Sequence, residues 1–202
     1  MLGTLVGTSY AFFSTQKTEL ETLSAQILQL DQALAQYGPE TKPARDRLKE
    51  SVRASYDTFW GGGEADPKLL SVSIPIAAAK ATKAYLASLS PTSESQKQAV
   101  AAATTLAGQI EQSRILMDLQ VASHPASPGL LTVLTIWAIV LFFSMALFAQ
   151  SNRLVVSALT FGALCVAFAI FLILELGLPY TGMFCVSGAA LQAAMDNIDN
   201  EM

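Results

Sequence analysis

Glu175 follows directly on the long apolar, uncharged run Leu154–Leu174, and Gly177, Pro179 and Gly182 come soon after it, residue types that stop a helix. An acid in that setting does proton chemistry only beside a histidine, a metal cluster or a nucleophile, and the sequence places none nearby. The plainer reading is a helix end anchored at an interface. His124, the only histidine, sits in Ser123-His124-Pro125-Ala126-Ser127-Pro128-Gly129 and reads as loop, not as catalyst or pH sensor. Cys165 and Cys185 lack any Cys-x-x-Cys or Cys/His spacing for zinc. One lies inside an apolar run and the other beyond it, so both are expected unpaired, with Cys165 a small packing residue. Gly61-Gly62-Gly63 precedes Glu-Ala-Asp-Pro and lacks Gly-Lys-Ser/Thr, which makes it a turn and not a phosphate cradle. These patterns assign no catalytic, cofactor-binding or metal-ligating residue, and no cofactor is expected. The residues left as functional candidates are Glu175, Arg153, Pro179 and Gly182.

The elements that must position them are legible. Leu130–Ala149 and Leu154–Leu174 are uncharged apolar runs of about 20 residues, or roughly 30 Å of helix, the thickness of a bilayer's hydrocarbon core. Only Gln150-Ser151-Asn152-Arg153 separates them, so the two helices are predicted to form an antiparallel transmembrane hairpin. Apolar residues make up 52% of the 202-residue chain and charged residues only 14%, too few for an ordinary soluble domain. Eleven of the twelve Lys and Arg residues and twelve of the sixteen acids lie between Lys17 and Asp118, which marks a water-exposed domain inserted between membrane elements. A net charge of −4 offers no basic field for nucleic acid and excludes that partner.

Leu2–Phe13 is apolar but spans only about 18 Å as a helix. No charge precedes it and Phe12-Phe13 is a poor cleavage context, so a signal peptide is disfavoured. It reads as the end of a membrane helix that begins upstream, or as a short helix tucked beside the hairpin, with Gly3 and Gly7 suited to close packing. Leu20, Leu23, Ile27, Leu30, Leu34 and Tyr37 then follow at spacings of 3 and 4, a heptad seam. Glu19, Glu21, Gln26, Gln29, Asp31 and Gln32 fall on the other faces. Gly38-Pro39 ends this helix. A second helix is predicted over roughly Pro43–Trp60, with Leu48, Val52, Tyr56 and Phe59 inward. A third covers Ala77–Leu89 and a fourth runs from about Thr92 to Val121. The fourth carries a weaker seam of Ala99, Ala103, Leu106, Ile110, Ser113 and Met117, after which the next position is the polar Gln120.

In the last membrane helix, Ala158, Gly162, Cys165 and Ala169 form a small-residue stripe for close approach, either to Leu130–Ala149 or to a neighbouring subunit. Pro179 and Tyr180 suit the interface. A tail helix over 187–198 puts Leu191, Met195 and Ile198 on one side. The expected organisation is an all-α integral membrane protein in four parts. These are the end of a membrane helix at 1–13, a helical extramembrane domain at 14–128, the hairpin at 129–174, and an interfacial segment with its tail helix at 175–202. A hairpin leaves the domain and the tail on one side. Lys17, Arg45, Arg47, Lys49 and Arg53 there, against Arg153 opposite, predict that this side is cytoplasmic.

Two stretches together resemble the bestrophin-like domain family of bacterial membrane proteins, a domain of unknown function. The first is Gln16–Asp31 (QKTELETLSAQILQLD), continuing to Tyr37-Gly38-Pro39-Glu40 and Ala44-Arg45. The second is Leu147-Phe148-Ala149 through Asn152, then Ala169–Leu176 (AIFLILEL) and Pro179-Tyr180-Thr181-Gly182. The resemblance runs from about Leu5 to Ala194. It implies membrane helices bracketing a helical domain, in the bacterial inner membrane, with a remote similarity to oligomeric anion channels whose pores have a hydrophobic neck. Three departures stand out. The family's complete N-terminal pair of membrane helices is represented here only by an end, Gly177 replaces a usual acid, and Gln192 replaces a usual basic residue. No calcium-clasp cluster of acids is present, so no metal site carries over. The expected function is an oligomeric ion-conducting subunit, and the alternative is a non-conducting accessory or scaffold subunit of a larger membrane complex. The partners expected are the lipid bilayer and either further copies of the chain or other subunits of such a complex.

Overall fold

The computed structural model describes residues 2–60, 73–122, 128–148, 152–177 and 184–200. Among these every regular element is helical: α1 (Leu2–Tyr37), a 3₁₀ turn (Pro39–Thr41), α2 (Lys42–Trp60), α3 (Ser73–Ser88), α4 (Glu94–Ala122), α5 (Pro128–Phe148), α6 (Arg153–Leu176) and α7 (Ala189–Asn200). The all-α expectation holds. The chain divides into two compact units: Met1–Thr15 with Ser123–Cys185, and Gln16–Ala122 with Val186–Met202. His124, Gly61-Gly62-Gly63, Pro179, Tyr180 and Gly182 lie outside the described residues.

In the unit that begins at Gln16, all six seam residues of α1 are buried. Leu30, Ala33 and Leu34 pack with Leu86 of α3 and with Ala103 and Ala107 of α4. Leu23 and Ile27 pack with Val52 of α2 and with Leu191 and Ile198 of α7. Each fully buried Leu or Ile in these clusters contributes about 1.5–3 kcal/mol. The breakers act where the sequence places them. Gly38 ends α1 at φ 137°, a conformation that L side chains rarely adopt, and accepts a hydrogen bond from the Thr41 N–H. Ser93 and Gln96 form a capping box that starts α4: the Gln96 N–H donates to Ser93 Oγ at 3.2 Å and the Ser93 N–H to Gln96 Oε1 at 3.3 Å.

One assignment within this unit is corrected. Asp31 does not occupy an outward face but is fully buried. Arg45, one turn into α2, meets it with a two-pronged contact: Nε donates at 2.7 Å and Nη2 at 2.6 Å. A buried carboxylate is tolerable because the guanidinium fork matches it geometrically.

In the other unit, α5 and α6 pack together and burial is reversed. Phe148 is 88% exposed, Leu154 76% and Phe161 70%. Both helices are long and apolar enough to cross a membrane, and only 6% of either apolar window is buried. Asn152 adopts an extended conformation, and its side chain accepts from the Leu154 N–H to cap α6. A Cβ on Gly162 would meet the Phe142 ring at 3.3 Å, so the stripe residue Gly162 turns toward α5. Within the single chain, Cys165 is exposed and does not pack against another helix. Gly3 and Gly7 of α1 have nothing within 4 Å of a Cβ position.

Candidate functional site

Glu175 lies in the last turn of α6 and is half-buried. Its Oε1 accepts from the backbone N–H of Phe184 at 3.2 Å. The carboxylate therefore pins the chain nine residues downstream against the helix end. A neutral amide would accept there less strongly than an ionised acid, because charge roughly doubles the strength of such a bond. Arg153 is exposed in the first turn of the same helix. Twenty-two helical rises separate the two residues, or about 33 Å, so the structure places them at opposite ends of α6 and not in one site. Among the described residues no group of three His, Cys, Asp or Glu side chains converges as a metal site.

The polar groups that do converge lie in the unit beginning at Gln16. Fully buried Gln16 donates to Gln120 Oε1 at 2.7 Å, and Gln120 Nε2 donates to Glu19 Oε1 at 2.7 Å. Glu19 Oε2 is buried without a hydrogen-bond partner. Ser113 donates to Gln26 one level further along α1 and α4. These contacts form polar layers in an otherwise apolar seam, which restrict the register of the two helices at some cost in stability. A signal for them exists in the sequence. Gln16 stands four residues before Leu20, and Gln120 three after Met117, so both continue a seam with a polar residue.

A second polar feature is an open cleft of about 220 Å³ between α2 and α7, lined by Lys49, Arg53, Tyr56, Asp57, Gln192, Met195 and Asp196. The tail helix is held beside it by aromatic contacts. Trp60 Nε1 donates to the Val186 carbonyl at 2.9 Å, the Tyr56 hydroxyl donates to Gln192 Oε1 at 3.3 Å, and the two rings lie 5.6 Å apart. Gly188 fits because it has no side chain: a Cβ there would stand 2.8 Å from Trp60 and 2.9 Å from Tyr56. Gln192, where the resemblance leads one to expect a base, thus accepts a hydrogen bond that a Lys or Arg cannot accept.

The chain thus combines a charged helical bundle with two exposed apolar helices long enough to cross a membrane. The Bestrophin-like domain matches residues 1–191, and the chain belongs to that family. No curated protein and no solved structure matches the chain. The family match and the two apolar helices together point to a membrane protein related to the bestrophin channels, a family associated with channels and not with enzymes.

Proposed function

We propose that this chain is a subunit of an oligomeric, ion-conducting protein of the bacterial inner membrane. In this reading α5 and α6 cross the bilayer as a hairpin, and the charged bundle faces the cytoplasm. The observation that carries it is the pairing of the family match with two apolar helices whose side chains point outward. A soluble core helix of this length buries such residues, whereas a lipid-facing one leaves them on the surface. Arg153 and Glu175 bracket about 33 Å of uncharged helix, close to the hydrocarbon thickness, with charged groups only at the ends. Neither span carries an ionised side chain, so conduction relies on a hydrophobic constriction and not on a charged ring.

The absence of charge within both spans also favours a second reading, because intramembrane charge is the usual mark of an ion path. In that reading the chain is a non-conducting accessory or scaffold subunit. Reconstitution of the full-length protein into liposomes separates the two. Anion or cation flux above protein-free vesicles supports conduction. Silence together with copurification of an unrelated complex at fixed stoichiometry supports the accessory role.

A further inference from the structure

Helix α7 runs back along α2: Trp60 meets Val186, and Tyr56, one turn earlier on α2, meets Gln192, further along the tail. The open cleft of about 220 Å³ between them carries charge on both walls. Lys49 and Arg53 stand one turn apart on α2, a like-charge spacing that is unfavourable on a bare helix. Asp57 follows one turn further along α2, and Asp196 lines the cleft from α7. Arg53, Asp57 and Asp196 are exposed, and among the described residues they make no ion pair and no hydrogen bond. Arg53 and Asp57 nevertheless have the spacing at which opposite charges meet on a helix. Gln192 uses its Oε1 to accept from Tyr56, which leaves its amide N–H groups as donors beside the cleft. Met195 and the Tyr56 ring supply the apolar part of the lining.

We propose that this cleft binds a small zwitterion, a molecule carrying an oxyanion and an ammonium group a few bonds apart, as free amino acids and ethanolamine phosphate do. The balance of charge is the argument. Two cations and two carboxylates line one small space. A simple anion would lie against Asp57 and Asp196, and a simple cation against Lys49 and Arg53. Like charges brought together cost affinity and so discriminate against either ligand. A zwitterion meets both signs. Its oxyanion accepts from the Arg53 fork, whose planar donors match a carboxylate or a phosphate, and from the Gln192 amide. Its ammonium donates to Asp57 or Asp196. The cleft is smaller than the roughly 300–1,000 Å³ of sites for drug-sized ligands, which keeps the ligand small. Held by a few exposed contacts, it should bind with a Kd on the order of 1 mM. Bound there it joins the tail helix to α2, a property that goes beyond conduction and holds whether or not the chain conducts.

The test is titration of the purified full-length chain in detergent, at fixed ionic strength, with methionine and with ethanolamine phosphate. Acetate and ethylamine serve as single-charge controls. Ligand-observed NMR reads affinity, and amide hydrogen exchange reads place. At least one zwitterion is expected to bind saturably and to slow exchange in α7, because a ligand held by both helices opposes their separation. Tighter binding of methionine would identify the source as a free amino acid, and tighter binding of ethanolamine phosphate as a lipid headgroup; either order supports the proposal. Arg53→Gln and Asp196→Asn each remove one charge from an exposed side chain that bonds to nothing among the described residues. Helix content and melting without ligand should therefore stay unchanged, while affinity falls about tenfold in each variant. Acetate or ethylamine binding as tightly as the zwitterions would mean a simple ion site and overturn the proposal. Absence of binding by both zwitterions up to about 20 mM, or unchanged affinity in both variants, would overturn it equally.

Discussion

The unit that begins at Gln16 and the unit that holds α5 and α6 use the same apolar residue types in opposite ways. In the first, Leu20 through Tyr37 point inward and charged side chains such as Glu21, Arg47 and Arg53 point outward. In the second, Phe143, Phe148, Leu154 and Phe161 point outward and few side chains are buried. Burial from water is worth about 25 cal/mol per Å² of apolar surface, which drives the first arrangement and opposes the second. The second becomes stable where the surroundings are as apolar as leucine itself, and helix association then depends on close packing such as Gly162 on Phe142. Hydrophobicity alone does not say whether a residue belongs to a core. The charge of the neighbouring positions does.

That contrast can be broken at its strongest point, the buried ion pair. Arg45→Ala strands the Asp31 carboxylate in the bundle and should destabilise it by about 3–5 kcal/mol, read by chemical denaturation of the purified protein. A loss under 1 kcal/mol would show that Asp31 reaches water. The next largest effect belongs to the apolar unit. Ile139 is 63% exposed in the middle of α5. Ile139→Arg would be nearly neutral in water but costs about 2.5–3.5 kcal/mol at a bilayer centre, so a smaller fraction of the protein should resist alkaline extraction from membranes. Unchanged extraction would place α5 outside lipid. Gly188→Ala forces a methyl onto the Trp60 and Tyr56 rings and should cost about 1–3 kcal/mol, with a change in tryptophan emission as the readout. The mildest probe is thiol labelling. Cys165 and Cys185 are both exposed, but a water-soluble reagent reaches only a thiol that faces water. In sealed vesicles with the bundle side accessible, a water-soluble maleimide should modify Cys185 and spare Cys165. Equal rates would mean that both residues face the same solvent.

Much of the fold is legible in the chain because helical periodicity is local. The seam of α1, its end at Gly38, the inward set Leu191 and Ile198 of α7, and the two spanning-length helices all follow from spacing within a few turns. The resemblance in Gln16–Asp31 and Ala169–Leu176 likewise rests on contiguous residues and agrees with the family match. Long-range polar pairing is different in kind. Asp31 sits beside the seam position Leu30, and whether it turns to water or to Arg45 depends on the angle at which α2 returns. Gln16 and Gln120 lie 104 residues apart, and no local pattern couples them. Glu175 reads correctly as an acid at the end of an apolar run, but its bond to the Phe184 N–H depends on the return of the chain after α6.

By itself the sequence determined that the chain is helical, where its breakers fall, and that one part is built for water and another is long and apolar enough for lipid. These are properties of composition and of periodicity over a few turns. Only the tertiary structure decided that Asp31 is buried against Arg45, that Gln120 bridges Gln16 and Glu19, and that Gly188 is the space into which two aromatic rings fit. Each of those depends on the position of atoms far apart along the chain, where a shift of about 1 Å separates a hydrogen bond from a buried unpaired group.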